Sequence, residues 1–299
     1  MDKGPGRALP NPTAGTRSPC VRFPPLTRPV TVSHMGQGMF ADDTVIRRVN
    51  REASTLLAAA YAILLQVAHP AVGQGVNDHS DFASRPLDRL RGTLTFVYGS
   101  VFGTREEAER VARIVRAVHR NVVGPGYDAR DPDLQVWVAA TLYEGAARVH
   151  GLVFGELSPA EKEELLGQCA LFATSLGCPE DRWPADLPSF ERYWKEMVED
   201  IEVSDAARGI ARDLFAPRNR ALRPLTTIQR FVASGMLPPT IREGFGLEWD
   251  ERRRRRFDRF FAVVRAVYPR LPLRVRTLPR DLYLRDMRRK AARGRAARR

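Results

Sequence analysis

Residues 56–75 read LLAAAYAILLQVAHPAVGQG. From Leu56 to Ala68 the segment is apolar nearly all the way round a helix, and such a helix is buried, so it runs through the middle of the fold. His69-Pro70 stops it, because proline disfavours the helical conformation in the residue before it. Gly73-Gln74-Gly75 then predicts a loop free to bring Asp78, His79 and Ser80 back over the helix end. The apolar run to Val72 is broken by Gln66, His69 and Pro70 and falls short of the roughly 20 residues that span a bilayer. No transmembrane segment is expected.

Outward from this stretch the chain keeps helical periodicity. Upstream, Val45, Val49 and Ala53 share a stripe. Downstream, Pro86 opens a helix whose core stripe is Leu90, Leu94, Val97 and Val101, with Arg89 and Thr93 beside it, one turn apart. Thr104 and Glu107 form a capping box for a helix carrying Val111, Val115, Val118 and Val122 at core spacing, with His119 at the edge of that face. Gly124-Pro-Gly126 ends it. Asp131-Pro132 and Ser158-Pro159 start two more helices, and others are predicted near 161–176, 189–199, 204–215, 225–234 and 249–268. Sustained period-two alternation is missing, so strands do not organise the fold. The prediction is one all-α domain over 42–284 with a buried central helix, a proline-rich disordered leader over 1–41 and a basic tail over 285–299.

The chain has 299 residues, 43% of them hydrophobic, which suits a globular domain with a sizeable core. Its net charge of +13 is concentrated in Arg252–Arg256 and in the tail, which carries eight Arg or Lys and one acid. The basicity therefore belongs to an appendage, expected to be dispensable for folding. It suits weak contact with anionic surfaces rather than specific nucleic-acid binding. Cys20, Cys169 and Cys178 lack metal-finger spacing and form an odd set, which argues against a disulfide framework and for a cytoplasmic protein.

Leu64–Thr93 concentrates polar groups that a core has little use for: His69, Asp78, His79, Asp81, Arg89 and Thr93. With His119 in its valine-rich setting they read as a lined cavity with one nitrogen ligand. No Glu-x-x-His, His-Glu-x-x-His, Gly-x-Ser-x-Gly or glycine-rich phosphate loop occurs, which argues against di-iron, zinc-peptidase, hydrolase-elbow and nucleotide chemistry. His69 either caps the buried helix or contacts a cofactor. Arg89, costly to bury without an anion, pairs with a nearby Asp or with an anionic ligand.

LLQVAHPAVGQGVNDHSDF, RLRGT, VFGTREEAERVARIVRAVHRNVVG and DPDLQVWV together resemble the catalytic domain shared by the fungal MpaB oxygenase and the bacterial rubber oxygenase, across roughly Val45–Phe215. The resemblance implies an all-helical fold, a b-type haem and oxygen-dependent cleavage of carbon–carbon double bonds in isoprenoid-like, hydrophobic substrates. It implies His119 as the haem ligand and Arg89 and Thr93 as pocket residues. Gly92 stands where rubber oxygenase has a distal lysine, and no glutamate lies between Leu64 and Arg89 to act as the base. Asp78 or His79 is left for that role. The expected activity is a haem-dependent oxygenase using molecular oxygen, the alternative a haem-binding or sensing protein without turnover.

Overall fold

The central helix takes its expected place in the computed structural model, which describes residues 38–79, 86–217 and 219–296. Most of the leader predicted over 1–41, and Ser80 and Asp81, lie outside the described residues. Helix α1 (Val45–Asn50) leads through a 3₁₀ turn, Ala53–Ala58, into α2 (Ala59–Ala68). On α2, Ala60, Tyr61, Ala62, Leu64, Leu65, Gln66, Val67 and Ala68 are all buried, as an all-round apolar helix requires. Polar bonds tie it to its neighbours: Trp137 donates its indole N–H to the Leu65 carbonyl at 3.1 Å, Gln66 donates to Thr141 at 3.0 Å, and the Ala60 N–H donates to Gln229 at 3.2 Å.

Pro70 ends α2 as predicted, but no loop follows. Helix α3 (Pro70–His79) begins at once, its axis bent 104° from the preceding helical stretch. His69 adopts an extended ψ of 122° as the last cap of α2, and its carbonyl accepts from the Gly73 N–H at 2.8 Å. Gly73 and Gly75 are thus helical residues, and the expectation of a glycine loop is corrected. Both serve close approach: a Cβ on Gly73 would sit 2.5 Å from the Val67 carbonyl oxygen, and one on Gly75 3.2 Å from the Tyr127 ring.

Next come α4 (Pro86–Phe102) and α5 (Arg105–His119), joined by Gly103-Thr104 into an antiparallel hairpin, the predicted capping box in place. The α5 core stripe is narrower than expected. Val111 is buried and Val115 half-buried, but Val118 is 56% exposed, because the helix lies along α4 and its last turns overhang the core. A two-residue hairpin, β1 (Val123–Gly124) and β2 (Tyr127–Asp128), turns the chain into α6 (Pro132–Phe154), capped by Asp131.

The remaining helices are α7 (Pro159–Cys169), α8 (Leu171–Thr174), α9 (Leu187–Asp200), α10 (Asp205–Phe215), α11 (Arg223–Met236), α12 (Pro239–Gly244), α13 (Glu251–Val267), α14 (Leu273–Arg276) and α15 (Leu278–Ala296). Helix α6 separates two apolar cores. One gathers α2, α10, α11 and α13; the other gathers α1, α4, α7 and α8. The tail boundary expected at 285 falls inside α15, which lies against α4: Leu284 is buried, Met287 packs on the second core and Arg288 binds Glu107. Among the described residues no single helix is long and apolar enough to cross a membrane.

Candidate functional site

Helices α2, α4 and α6 leave between them an apolar cavity of about 80 Å³, lined by Ala62, Gln66, Thr93, Val97, Thr141 and Phe172 among others. Thr93 is half-buried and contributes a hydroxyl to an otherwise mostly apolar wall. The Gln66 and Thr141 side chains bond each other, and the Thr141 hydroxyl donates to the Val138 carbonyl at 2.7 Å, so these polar groups make few demands on an occupant. Of the two pocket residues read from the sequence, the structure places Thr93 directly. Arg89 lies in the first turn of α4, and its side chain is outside the described residues.

His69 caps the end of α2, three residues beyond Gln66, and is not among the residues lining this cavity. The ring is half-buried, and its Nδ1 is buried without a hydrogen-bond partner. Burial lowers its pKa from 6.5, against the opposing fields of Asp131 and Asp133. Desolvation thus favours the neutral imidazole, the form that can ligate a metal.

The other expected residues gather on a second group of elements. Tyr127 is held between Gly75 and Gly124, where a Cβ would sit 2.4 Å from the Tyr127 hydroxyl oxygen. Its hydroxyl donates to Asp78 at 2.9 Å, while Gln74 and Asn77 donate to the other Asp78 oxygen at 2.7 and 3.2 Å. These bonds, Gln74's first, hold the Asp78 carboxyl below its usual pKa. The His79 Nε2 lies 3.0 Å from the same tyrosine oxygen. Since the phenol proton goes to Asp78, His79 donates there, which in the neutral ring leaves Nδ1 as the acceptor. Burial, then Asp78, raises the Tyr127 pKa.

Tyr127 was missed in the sequence, although Gly-Pro-Gly-Tyr, read only as a helix stop, carried the signal: two of its neighbours in space are glycines. His119, half-buried at the last position of α5, comes within electrostatic reach of this hairpin. The Asp128 carboxyl is held low first by Arg130 and, in smaller part, by His119. Antiparallel α4 and α5 bring His119 level with the first turn of α4, where Arg89 lies. The structure thus unites Asp78 and His79 through Tyr127, puts His119 beside that hairpin and gives Thr93 to the cavity. His119 is not among the residues lining that cavity. No group of three or more His, Cys, Asp or Glu among the described residues is placed to hold a metal ion alone.

Residues 46–266 match the family described as ER-bound oxygenase mpaB/B'/rubber oxygenase, catalytic domain. The chain belongs to this family. An MpaB/rubber oxygenase catalytic domain therefore spans α1 to α13, and an oxygenase role in general comes with it. Two relatives are uncharacterized proteins, Mb2261 of Mycobacterium bovis and Rv2237 of Mycobacterium tuberculosis. Each is 32% identical over 257 residues, covering 80% of this chain and 99% of the relative. No solved structure matches the chain. Within the family frame Gly92 is informative: it is exposed, and a Cβ there meets nothing within 4 Å.

Proposed function

We propose that this protein is a haem b-dependent oxygenase acting on a small or medium hydrophobic, isoprenoid-like substrate, with His119 as the haem ligand and His69 as the second candidate. The observation that carries the hydrophobic specificity is the apolar cavity beside Thr93. The donor chemistry suits a haem: His69 offers a desolvated imidazole nitrogen without a partner, and His119 is half-buried at a helix end. The apolar cavity of about 80 Å³ is far smaller than the roughly 300–1,000 Å³ of ordinary ligand pockets and His119 does not line it, so it suits part of a hydrophobic substrate and not the haem itself.

When bound, a haem would supply the oxygen and electron chemistry, tuned by the imidazole that holds it and by the polarity of the residues around it. The protein's own residues do the rest. Ala62, Val97 and Phe172 favour an apolar chain over water. The Thr93 hydroxyl offers one hydrogen bond to orient a polar group, and Arg89, in the first turn of α4, is the candidate partner for an anionic one. Asp78 and Tyr127 fix His79 in one tautomer, so that its Nδ1 can take up a proton.

Reconstitution with haem tests this directly. The parent should show a Soret band, and His119→Ala should fold by circular dichroism yet bind little haem. His69→Ala should keep most of it with an altered spectrum. Oxygen consumption with a reductant and an isoprenoid probe then separates turnover from binding. A parent without a Soret band would sink the haem reading, and loss of haem in His69→Ala alone would move the ligand to the α2–α3 bend.

A further inference from the structure

Twelve large hydrophobic side chains are exposed among the described residues, and nine of them lie on two stretches, the first turns of α11 and the chain from the last turns of α13 into α15. Exposed apolar side chains are ordinary when scattered, but gathered on one face they mark a contact surface. Leu271, Leu273, Val275, Leu278 and Leu282 follow one another over 271–282, with Leu278 and Leu282 one helical turn apart on α15. Val263 and Val267, also a turn apart, precede them on α13, whose inner side buries Phe257 and Phe261. Helix α11 brings Leu225 and Ile228 to the same place, because it packs antiparallel to α13. A Cβ on its Gly235 would sit 2.3 Å from the Phe257 ring, while Phe231, a turn earlier, meets Phe260 with ring centroids 6.0 Å apart. Earlier turns of α11 therefore lie beside later turns of α13.

The charge on this surface has one sign. From Arg259 to Arg285 the chain holds one acid, Asp281, which is half-buried and accepts from Arg280 at 2.8 Å. Over 214–242, which contains α11, there is none. Arg220, Arg223, Arg270, Arg274 and Arg285 are exposed, and among the described residues none of them forms an ion pair. The arginine run at 252–256 differs, since Glu248, Asp250, Glu251 and Asp258 pair with it. Apolar side chains interleaved with unpaired cations suit a segment that lies in the plane of a lipid interface, where the apolar groups enter the acyl boundary and the arginines meet anionic head groups. A second copy of the chain fits less well. Across a two-fold axis the surface would meet itself, setting cations against cations with no free acid to neutralise them.

We propose that this face, from the end of α13 into α15 with the start of α11 beside it, docks the protein on an anionic membrane surface without crossing it. Docking needs no haem.

Co-sedimentation of the full-length protein with vesicles tests it, using phosphatidylcholine alone and phosphatidylcholine mixed with phosphatidylglycerol. The protein should pellet with the mixed vesicles and stay in the supernatant with phosphatidylcholine alone. Each arginine near an anionic lipid surface contributes about fivefold in partitioning, so Arg270→Gln/Arg274→Gln should weaken binding on the order of thirtyfold. Leu273→Ser/Leu278→Ser keeps every charge and should weaken it at least about tenfold. All four side chains are exposed, so both variants should keep the circular dichroism of the parent. Ile114→Ser, exposed on α5 outside this face, should bind as the parent does. No pelleting with the mixed vesicles, equal pelleting with phosphatidylcholine alone, or binding that either double variant retains in full overturns the proposal. So does a loss in Ile114→Ser equal to that in the leucine variant. Were the parent to ignore the vesicles and run as a dimer in sedimentation velocity, with the leucine variant a monomer, the face would belong to a second copy instead.

Discussion

A single turn of α6 separates Ala146, on the wall of the apolar cavity, from His150, on the wall of the arginine cavity. One helix thus borders two spaces of opposite chemistry, and what differs is what the neighbouring elements contribute. Helices α2 and α4 bring Ala62, Val97 and Thr93, together with Gln66, whose amide is bonded to Thr141 of α6. The second space is lined by Arg48 of α1, Arg51 just after it and Arg276 of α14, with Glu52, Glu156 and Glu161 among them. The first space is walled by apolar side chains and the second by ion pairs, so substitutions at the two should differ in the size of their effect.

The largest effect should come from the charge that anchors the arginine cavity. Glu52 and Arg276 are both largely buried, with side chains 5% and 16% exposed. Glu52→Gln keeps the shape and leaves Arg276 without its counter-charge. Breaking such a pair from one side costs about 3–5 kcal/mol. Urea denaturation should show a lower midpoint at unchanged slope. An unchanged midpoint would mean that the arginine charge is neutralised elsewhere, and would blur the contrast between the cavities.

This cavity was also the least legible part of the chain. Arg48, Arg51, His150 and Arg276 are spread across most of the sequence and belong to no local pattern. In isolation each reads as a solvated charge or an ordinary helix residue. Local signals did better. The capping boxes at Thr104 and Ser158 and the Asp131-Pro132 start lie where the sequence put them, because a cap is decided within four residues. The central helix was legible from its all-round apolarity. Gly73 and Gly75 misled because a glycine that admits a bend and one that admits a neighbouring ring look alike in sequence. Val118 misled because periodicity marks a face without saying how far the partner helix extends along it.

On the apolar side a smaller loss is expected. Gln66→Leu removes one buried hydrogen bond to Thr141, whose hydroxyl keeps its bond to Val138, and should cost ~1–2 kcal/mol. In the Gln66→Leu/Glu52→Gln double variant the two losses should add within about 0.5 kcal/mol, and a larger departure would show that the two cavities are coupled through α6.

Acid should act at the end of α2. Burial lowers the His69 pKa below 6.5, so the unfolded chain takes up this proton first. The stabilisation is therefore present above 6.5 and is lost as pH falls towards the folded-state value. His150 shifts in the same direction, again chiefly through burial, so the parent must be compared with His69→Gln rather than with itself at another pH. In haem-free protein the parent should lose more stability on acidification than the variant does. Parallel pH profiles would show that the ring is already solvated.

The smallest effect concerns α15, which stands behind the apolar cavity: Tyr283 meets Tyr98, a lining residue, with ring centroids 5.7 Å apart. Further along, Met287 packs close to Gly99, where a Cβ would lie 3.1 Å from its sulfur, and Arg288 binds Glu107 at 2.8 and 3.1 Å. The pair is partly exposed, at 52% and 18%, so Arg288→Ala should cost only about 0.5 kcal/mol and less at high salt. Arg288 first, then the Thr104 N–H, holds the Glu107 carboxyl below 4.5, so this contribution exists above that pH and disappears as acid protonates it. A chain ending at Met287 should match Arg288→Ala in its melting midpoint, because both lose the ion pair and keep the thioether contact. A chain ending at Asp286 should fall further, by ~1 kcal/mol for the lost apolar burial. If the two truncations melt alike, the last turns of α15 behave as the solvated appendage that their arginine content suggests, and the wall behind the apolar cavity ends at Leu284.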